Sequence, residues 1–433
     1  MVSRVNRADT TLERPEGDGR DRKLGDHTLL VTGVTGFLGQ ELLSQLLTET
    51  KANVVCLIRA DDDALADARL RAILSQLFEP DGWDDVRTRV RAVHGDVTRP
   101  DLGLERHTRE RLVRETTHIL HGAASVRFDM PLGEARDINV MGTMAMLDLA
   151  LDAHQRGQLE RFGYISTAFV SGRCSRWFGE DDLDVGQRFR NSYERSKFEA
   201  ELVVHAHMRN LPATIVRPSI VVGNSRSGAT NAFNVIYWPL RIYADGLLRY
   251  APAARELPVD LVPVDFVARG ALAAVLQGEA SETYALAAGD RATEAGAIGE
   301  MASRVFSTAP PRLIATPLDR LLMPLLAPML SIGPWRRFGG AIRQYLPYFQ
   351  DGSRFDTTHA NALLKPRGIE PPPVSQFLEP VLEFARSTDF GRNRVAIAAH
   401  ERALSSARRE ALARAQRPRR ARRSRAAATF VAH

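Results

Sequence analysis

The sequence predicts an α/β fold: a doubly wound parallel sheet with a smaller, mostly helical C-terminal region. Three observations predict it. Apolar strand-like runs alternate with helical repeats from residue 27 to about 225, the rhythm of strand–helix–strand crossovers. The first of these junctions is glycine-rich, Thr32-Gly33-Val34-Thr35-Gly36-Phe37-Leu38-Gly39. From about residue 226 the rhythm breaks into aromatic and proline-rich sequence such as Phe233-Asn234-Val235-Ile236-Tyr237-Trp238-Pro239.

Strands are expected at 28–32, 53–58, 90–94, 118–121, 161–166 and 213–217, and helices at 37–48, 62–77, 105–115, 132–151 and 192–209. The predicted organisation is a disordered terminus (1–25), a dinucleotide-binding domain (26–225), a C-terminal region partly interleaved with it (226–390), and a basic tail (391–433). In a doubly wound sheet the ligand lies off the carboxyl ends of the strands, so residues at those ends are the candidates for chemistry.

Composition narrows the class. The chain has 433 residues, 44% hydrophobic and 25% charged, as expected of an ordinary globular enzyme. Its two cysteines, Cys56 and Cys174, cannot form a disulfide framework, and Cys56 sits in an apolar run. Neither a secretory leader nor a transmembrane run is read, so a reducing cytoplasmic setting is expected. The net charge of +6 belongs to the tail: residues 401–433 carry ten arginines against two glutamates. A solvated end is the simpler reading, and contact with an anionic membrane surface is the alternative. Specific nucleic-acid binding and a metal site are not expected, and the oligomeric state is not read.

Gly33, Gly36 and Gly39, with Thr35, Phe37 and Leu38, allow a tight turn and close approach of a pyrophosphate to a helix N-terminus. At the tip of the second strand, where an acid would hold a free ribose, stands Arg59. An arginine there fits a 2′-phosphate and favours NADPH; the alternative leaves Asp61 or Asp62 on the ribose. Asp96 and Val97 follow the third strand, where a polar turn reaches the adenine. Gly122, Ala123 and Ala124 end the fourth with small side chains that let a flat ligand approach. His121 reads as a packed strand-end residue.

Tyr193 and Lys197 lie one helical turn apart. A lysine cation beside a tyrosine favours the phenolate and lowers its pKa, which suits acid–base work on a carbonyl oxygen. Thr167, at the end of the preceding strand, offers a hydroxyl to the same oxygen.

Together these features resemble the extended branch of the short-chain dehydrogenase/reductase superfamily over residues 27–290. The matching blocks are Thr32-Gly33-x-x-Gly36-x-x-Gly39, Gly95-Asp96-Val97, His121-Gly122-Ala123-Ala124, Asn139-Val140-x-Gly142-Thr143, Ser166-Thr167-Ala168, Tyr193-x-x-x-Lys197 and Arg217-Pro218-Ser219-Ile220. The resemblance implies a Rossmann-type domain, a catalytic set of Thr167, Tyr193 and Lys197, and a nicotinamide ribose held by Lys197. It also implies cofactor contacts at Asn139, Pro218 and Ile220. Gly122 departs from the family, which often has asparagine there. Within the superfamily, Val54-Val55-Cys56-Leu57-Ile58-Arg59-Ala60, Gly95-Asp96-Val97-x-x-Pro100-x-Leu102-Gly103-Leu104 and Asp260-Leu261-Val262-Pro263-Val264-Asp265-Phe266-Val267 look like the acyl-thioester reductases. Tyr348-Phe349 and Arg354-Phe355-Asp356-Thr357-Thr358 resemble the C-terminal region of fatty acyl-CoA reductases more loosely. That branch implies NADPH and an acyl-CoA or acyl-carrier substrate reduced to an aldehyde or alcohol. The apolar stretch 321–330 is read as core, an acyl tunnel or a membrane contact. A ketone, sterol or flavonoid-like reductase, a nucleotide-sugar enzyme and a non-catalytic dinucleotide-binding protein are the alternatives.

Overall fold

The structure, a computed structural model, describes residues 27–78, 84–174, 176–251, 253–314, 348 and 352–400. The expected N-terminal tail, the apolar stretch 321–330 and the arginine-rich segment 401–433 lie outside the described residues.

The main elements in chain order are β1 (Thr28–Thr32), α1 (Phe37–Glu49), β2 (Asn53–Ile58), α2 (Asp63–Leu77), β3 (Val90–His94), α3 (Arg106–Glu115), β4 (His118–His121), α4 (Gly142–Gln155), β5 (Arg161–Ile165), α5 (Ser192–His207), β6 (Ala213–Pro218), α6 (Val264–Gln277), β7 (Thr283–Leu286) and α7 (Val374–Ser387). The seven strands form one sheet in the order β7-β6-β5-β4-β1-β2-β3. Every pairing is parallel; Leu30, for example, lies beside Val55 of β2 and Ile119 of β4. Strand order reverses between β1 and β4, which places the ligand crevice at their carboxyl ends.

Continuous Val/Ile/Leu runs form these strands because both faces are covered. One face packs Leu42, Leu43, Leu46 and Leu47 of α1 with the α2 and α6 cores. The other packs Leu112, Met146, Leu147 and Val204 from α3, α4 and α5. Each fully buried leucine contributes roughly 1.5–3 kcal/mol. A third cluster, including Phe169, Phe178, Tyr237, Phe355 and Phe377, lies under the C-terminal region.

Two features differ from the sequence expectation. The helix expected at 132–151 is a short α segment, Leu132–Arg136, then a π turn, Asp137–Met141, then α4. One extra residue per turn is invisible to a 3.6-residue pattern and rotates Asn139 inward. The sheet also takes a seventh strand, β7, from beyond the break at 226. Among the described residues no helix is long and apolar enough to cross a membrane.

β6 carries Arg217, one of the largest fully buried side chains. Its Nε donates to Glu201 Oε1 of α5 at 2.9 Å. Its Nη groups donate to the carbonyls of Gly179 (3.1 Å), Glu180 (3.2 Å) and Asp182 (2.7 Å). Glu201 also accepts from Ser166 Oγ. Arg217→Met would leave a buried carboxylate without its cation, a loss of about 3–5 kcal/mol. We expect the urea midpoint of that variant to fall accordingly; an unchanged midpoint would contradict the role assigned to the pair.

Candidate active site

A cavity of about 480 Å³ opens along the carboxyl ends of β1, β2, β3, β4 and β5. Its walls include the predicted residues Gly33, Thr35, Gly36, Phe37, Leu38, Gly39, Arg59, Asp96, Val97, Ala123, Ala124, Thr167, Tyr193, Lys197, Pro218 and Ile220.

Close backbone packing explains the first turn. Gly33 has φ +81°, and a Cβ there would lie 2.6 Å from the Gly122 carbonyl group, so glycine at 33 is required by contact between two strand ends. A Cβ on Gly39 would collide with the Gly33 carbonyl. Gly36 caps α1 and donates its N–H to Gly33 O at 3.0 Å. Thr32 Oγ1 accepts from the N–H groups of Gly122 (3.1 Å) and Ala123 (3.0 Å), strapping β4 to β1. The next contact, 2.8 Å to His121 Nδ1, leaves the Thr32 hydroxyl as its donor. His121 Nε2 lies 3.2 Å from Thr143 Oγ1, whose own proton goes to Asn139 O at 2.6 Å. This fixes a neutral Nε2–H tautomer, and burial lowers the His121 pKa to about 3. His121 is a structural strut.

At the β2 tip Arg59 is exposed and lines the cavity. Asp62 caps α2, accepting from Leu65 N at 2.7 Å. Asp63 binds His94, 2.8 Å from Nδ1. Those two acids take part in local hydrogen bonds, and Asp61 lies exposed beside them. Arg69 of α2 brings its Nη1 to the Arg59 carbonyl. Asp96 forms a local turn, accepting from Thr98 N (2.9 Å) and Thr98 Oγ1 (2.8 Å).

Asn139 does not line the cavity. It is 1% exposed, accepts from Ser125 N (2.8 Å), and donates to Ser125 O (3.1 Å) and Ser196 Oγ (2.8 Å). Its amide is spent holding the loop after β4 against α5. The expected cofactor contact is replaced by a bracing role because the π turn points it inward.

Thr167, Tyr193 and Lys197 come together where β5, β6 and α5 meet. Thr167 caps a short 3-10 turn (Phe169 N to Oγ1, 3.3 Å), lies 3.4 Å from Pro218 O, and hydrogen-bonds Tyr193. Lys197 Nζ donates to Ile165 O at 2.7 Å and lies 4.1 Å from the centre of the Tyr164 ring. Burial lowers the Lys197 pKa to about 7, against the pull of Glu201. Burial raises Tyr193 to about 12, with Thr167 acting in the opposite direction. The expectation that Lys197 lowers the tyrosine is therefore corrected: Lys197 does not contribute to the Tyr193 shift, and its Nζ faces the Ile165 carbonyl and the Tyr164 ring. A neutral phenol at neutral pH is a proton donor.

The Pro218–Ser219 turn is fixed from beneath by Asp260, which accepts from Ser219 Oγ (2.5 Å), Ala288 N (2.8 Å) and Gly289 N (3.0 Å). Sequence reading also missed Phe128, Phe169, Asn234 and Val235 as cavity residues. Their loops carry no periodic signal.

Residues 31–271 match the family described as Male sterility protein, an NAD-binding family. The chain belongs to this family. It is the acyl-thioester reductase branch of the extended short-chain dehydrogenases that the sequence blocks resemble. Among relatives of the family member described here, glycine betaine reductase of Emericella nidulans is 34% identical over 281 residues, 61% of this chain and 21% of that protein. Fatty acyl-CoA reductase 1 of Rattus norvegicus is 32% identical over 282 residues, 57% of this chain and 54% of that protein. The chain thus spans about a fifth and about half of these relatives. The terminal R domain from the myxalamid PKS-NRPS biosynthetic pathway superposes with a TM-score of 0.70 at 27% identity, covering 84% of this chain and 91% of that one.

The folded pKa of Lys197, about 7, lies below its ordinary 10.5. Between those values the unfolded chain binds more protons, so this group's stability is full above about 10.5 and is lost as pH falls towards 7. Lys197→Met should be more stable than the parent at neutral pH, by roughly a few kcal/mol, with the advantage shrinking as pH rises. Urea titrations across that window measure it; a pH-independent difference would contradict the buried-lysine assignment.

Proposed function

We propose that the chain is an NADPH-dependent reductase of acyl thioesters, fatty acyl-CoA or carrier-bound, that yields an aldehyde and, with a second reduction, a primary alcohol. One observation carries this reading. Thr167, Tyr193 and Lys197 converge at the point where the glycine-turn cavity meets an apolar wall that includes Phe128, Phe169 and Tyr348. A carbonyl held there meets a proton donor, a hydroxyl and a buried amine, with aromatic surface for its acyl part.

The residues fit the cofactor. Glycine at 33 and 39 lets the β1–α1 turn close against the β4 end and against itself, and Thr35 to Leu38 at the start of α1 line the cavity where a pyrophosphate would approach a helix N-terminus. Arg59 and Arg69 would hold the 2′-phosphate, the N–H groups from Thr35 to Leu38 the pyrophosphate, and Asp96 and Val97 the adenine end. Lys197 would bind the nicotinamide ribose, and the backbone at Pro218 and Ile220 the nicotinamide. When bound, NADPH supplies a hydride to the thioester carbon. Thr167 donates a hydrogen bond to the developing oxyanion, and Tyr193 gives that oxygen its phenolic proton. Lys197, poised near neutrality, exchanges protons with solvent to restore the tyrosine. The hemithioacetal then breaks its C–S bond, and its hydroxyl proton leaves with the thiol. Among the described residues neither cysteine lines the cavity, and burial pushes the Cys56 thiol up to about 12, so an acyl-enzyme through sulfur is not part of the reading.

The test is oxidation of NADPH with acyl-CoAs and acyl-carriers, scored against free thiol and against extracted aldehyde or alcohol. Tyr193→Phe should lower kcat by roughly 10²–10⁴ and leave NADPH binding intact; an active variant would remove the assignment. Arg59→Ala should raise KM for NADPH by about tenfold, one charge-assisted phosphate contact, and leave KM for NADH in place. Equal effects on both cofactors would refute the 2′-phosphate contact.

A further inference from the structure

Tyr348 belongs to the C-terminal region, yet its ring sits among the parts of the site just described. Phe128, on the loop after β4, is stacked between two tyrosines. Its ring centre is 5.5 Å from Tyr193 at 24° and 5.4 Å from Tyr348 at 20°. Phe169, two residues after Thr167, meets Tyr348 edge-on at 5.0 Å. The Arg190 guanidinium lies 5.2 Å from the Tyr348 ring centre.

The Tyr348 hydroxyl is anchored as well. It accepts from Asn191 Nδ2 at 2.9 Å. Asn191 is the N-cap of α5, accepting from Glu194 N at 2.9 Å. Ser192 Oγ donates to Met130 O at 2.7 Å, which ties the Phe128 loop to the same helical turn. One tyrosine therefore contacts the cap of the helix carrying Tyr193 and Lys197, and the ring that packs on Tyr193.

The ring faces are spent on one another, so much of what the stack offers the cavity is ring edge, an apolar surface. The charged side chains that line the cavity are Arg59, Asp96 and Lys197, all on the cofactor side. Among the cavity-lining residues described, the Phe128–Tyr348 side thus holds no counter-ion for a charged acyl group, and the Arg190 side chain beside Tyr348 is buried and paired with Glu194 at 3.1 Å.

We propose that Phe128 and Tyr348 form the acyl-side wall, and that Tyr348 is a specificity-determining and positioning residue that selects uncharged acyl groups for Tyr193. The proposal rests on the thioester-reductase reading.

The experiment compares kcat and KM for palmitoyl-CoA, butyryl-CoA and succinyl-CoA in the parent, Tyr348→Phe, Tyr348→Ala and Phe128→Leu. Thermal unfolding and NADPH binding are measured beside them. In Tyr348→Ala the palmitoyl-to-butyryl ratio of kcat/KM should fall roughly tenfold, mainly through KM, the scale of a few lost apolar contacts. Discrimination against succinyl-CoA should weaken with it. Tyr348→Phe keeps the ring and should restore the ratio, with kcat lowered because Asn191 loses its acceptor. If Tyr348→Ala does not bind NADPH, Phe128→Leu carries the same comparison and should shift the ratio in the same direction. An active parent with unchanged ratios in Tyr348→Ala, or in Phe128→Leu where that stands in, overturns this inference alone. A parent that oxidises NADPH with no acyl thioester overturns the reading beneath it.

Discussion

The site depends on a buried ion pair. Arg217 and Glu201 lie beneath the helix that carries Tyr193 and Lys197, with side chains 2% and 0% exposed. Burial alone would raise the carboxyl, but Arg217 and His205 outweigh it and hold Glu201 at about 2. The pair costs desolvation, and its hydrogen bonds to Ser166 and three carbonyls offset that cost. What it provides is direction. β5, β6 and α5 are held in one relative position, and the strand-end residues 165–167 are presented to Tyr193 and Lys197. Glu201, one turn beyond Lys197, also raises the lysine pKa that burial lowers.

That balance gives the site its acid–base character. Low dielectric disfavours the charged form of both groups, so tyrosine and lysine move in opposite directions, to about 12 and about 7. A reductase needs the phenol protonated when an oxyanion forms, and a partner able to return a proton near neutral pH. On the proposed mechanism, burial meets the first need through Tyr193 and brings Lys197 near the second.

The parts legible in the sequence are those whose cause is local. The glycines of the first turn, the six strands before residue 225 and the Tyr193–Lys197 spacing each express a constraint a few residues long. The π turn was not legible, because a one-residue insertion leaves apolar spacing almost unchanged. Asn139, expected at the cofactor from the family resemblance, braces the loop after β4 and does not line the cavity. β7 was not read as a strand because Thr283–Leu286 is short and lies past the break in rhythm. The Phe128–Tyr348 stack joins residues distant in sequence, and nothing near either residue marks the partner. Arg69 stood in plain view on a helix, but only the fold brings its guanidinium to the β2 tip.

Buried carboxylates also explain how the C-terminal region is registered on the sheet. Apolar packing of Phe178, Phe355 and Phe377 is strong but has little directional preference. Glu180 adds direction, accepting from Ala285 N (2.7 Å) in β7 and from Ala360 N (3.0 Å) and His359 N in the C-terminal region. Asp260 does the same between the Pro218–Ser219 turn and the chain after β7. Glu180 takes backbone N–H groups from two distant segments, and Asp260 takes a hydroxyl from one segment and two N–H groups from another, so a shift of any of them would leave a buried polar group without donors, a larger loss than a repacked aliphatic contact. Register is thereby set by a few carboxylates, while the cavity wall at Phe128, Phe169 and Tyr348 is made of aromatic side chains. That wall is not independent of the site, since Phe128 stacks on Tyr193 and Tyr348 meets the α5 cap through Asn191. On the proposed reading, substrate preference would be set at this wall, while β5, β6 and α5 beneath Thr167, Tyr193 and Lys197 are held by the buried ion pair.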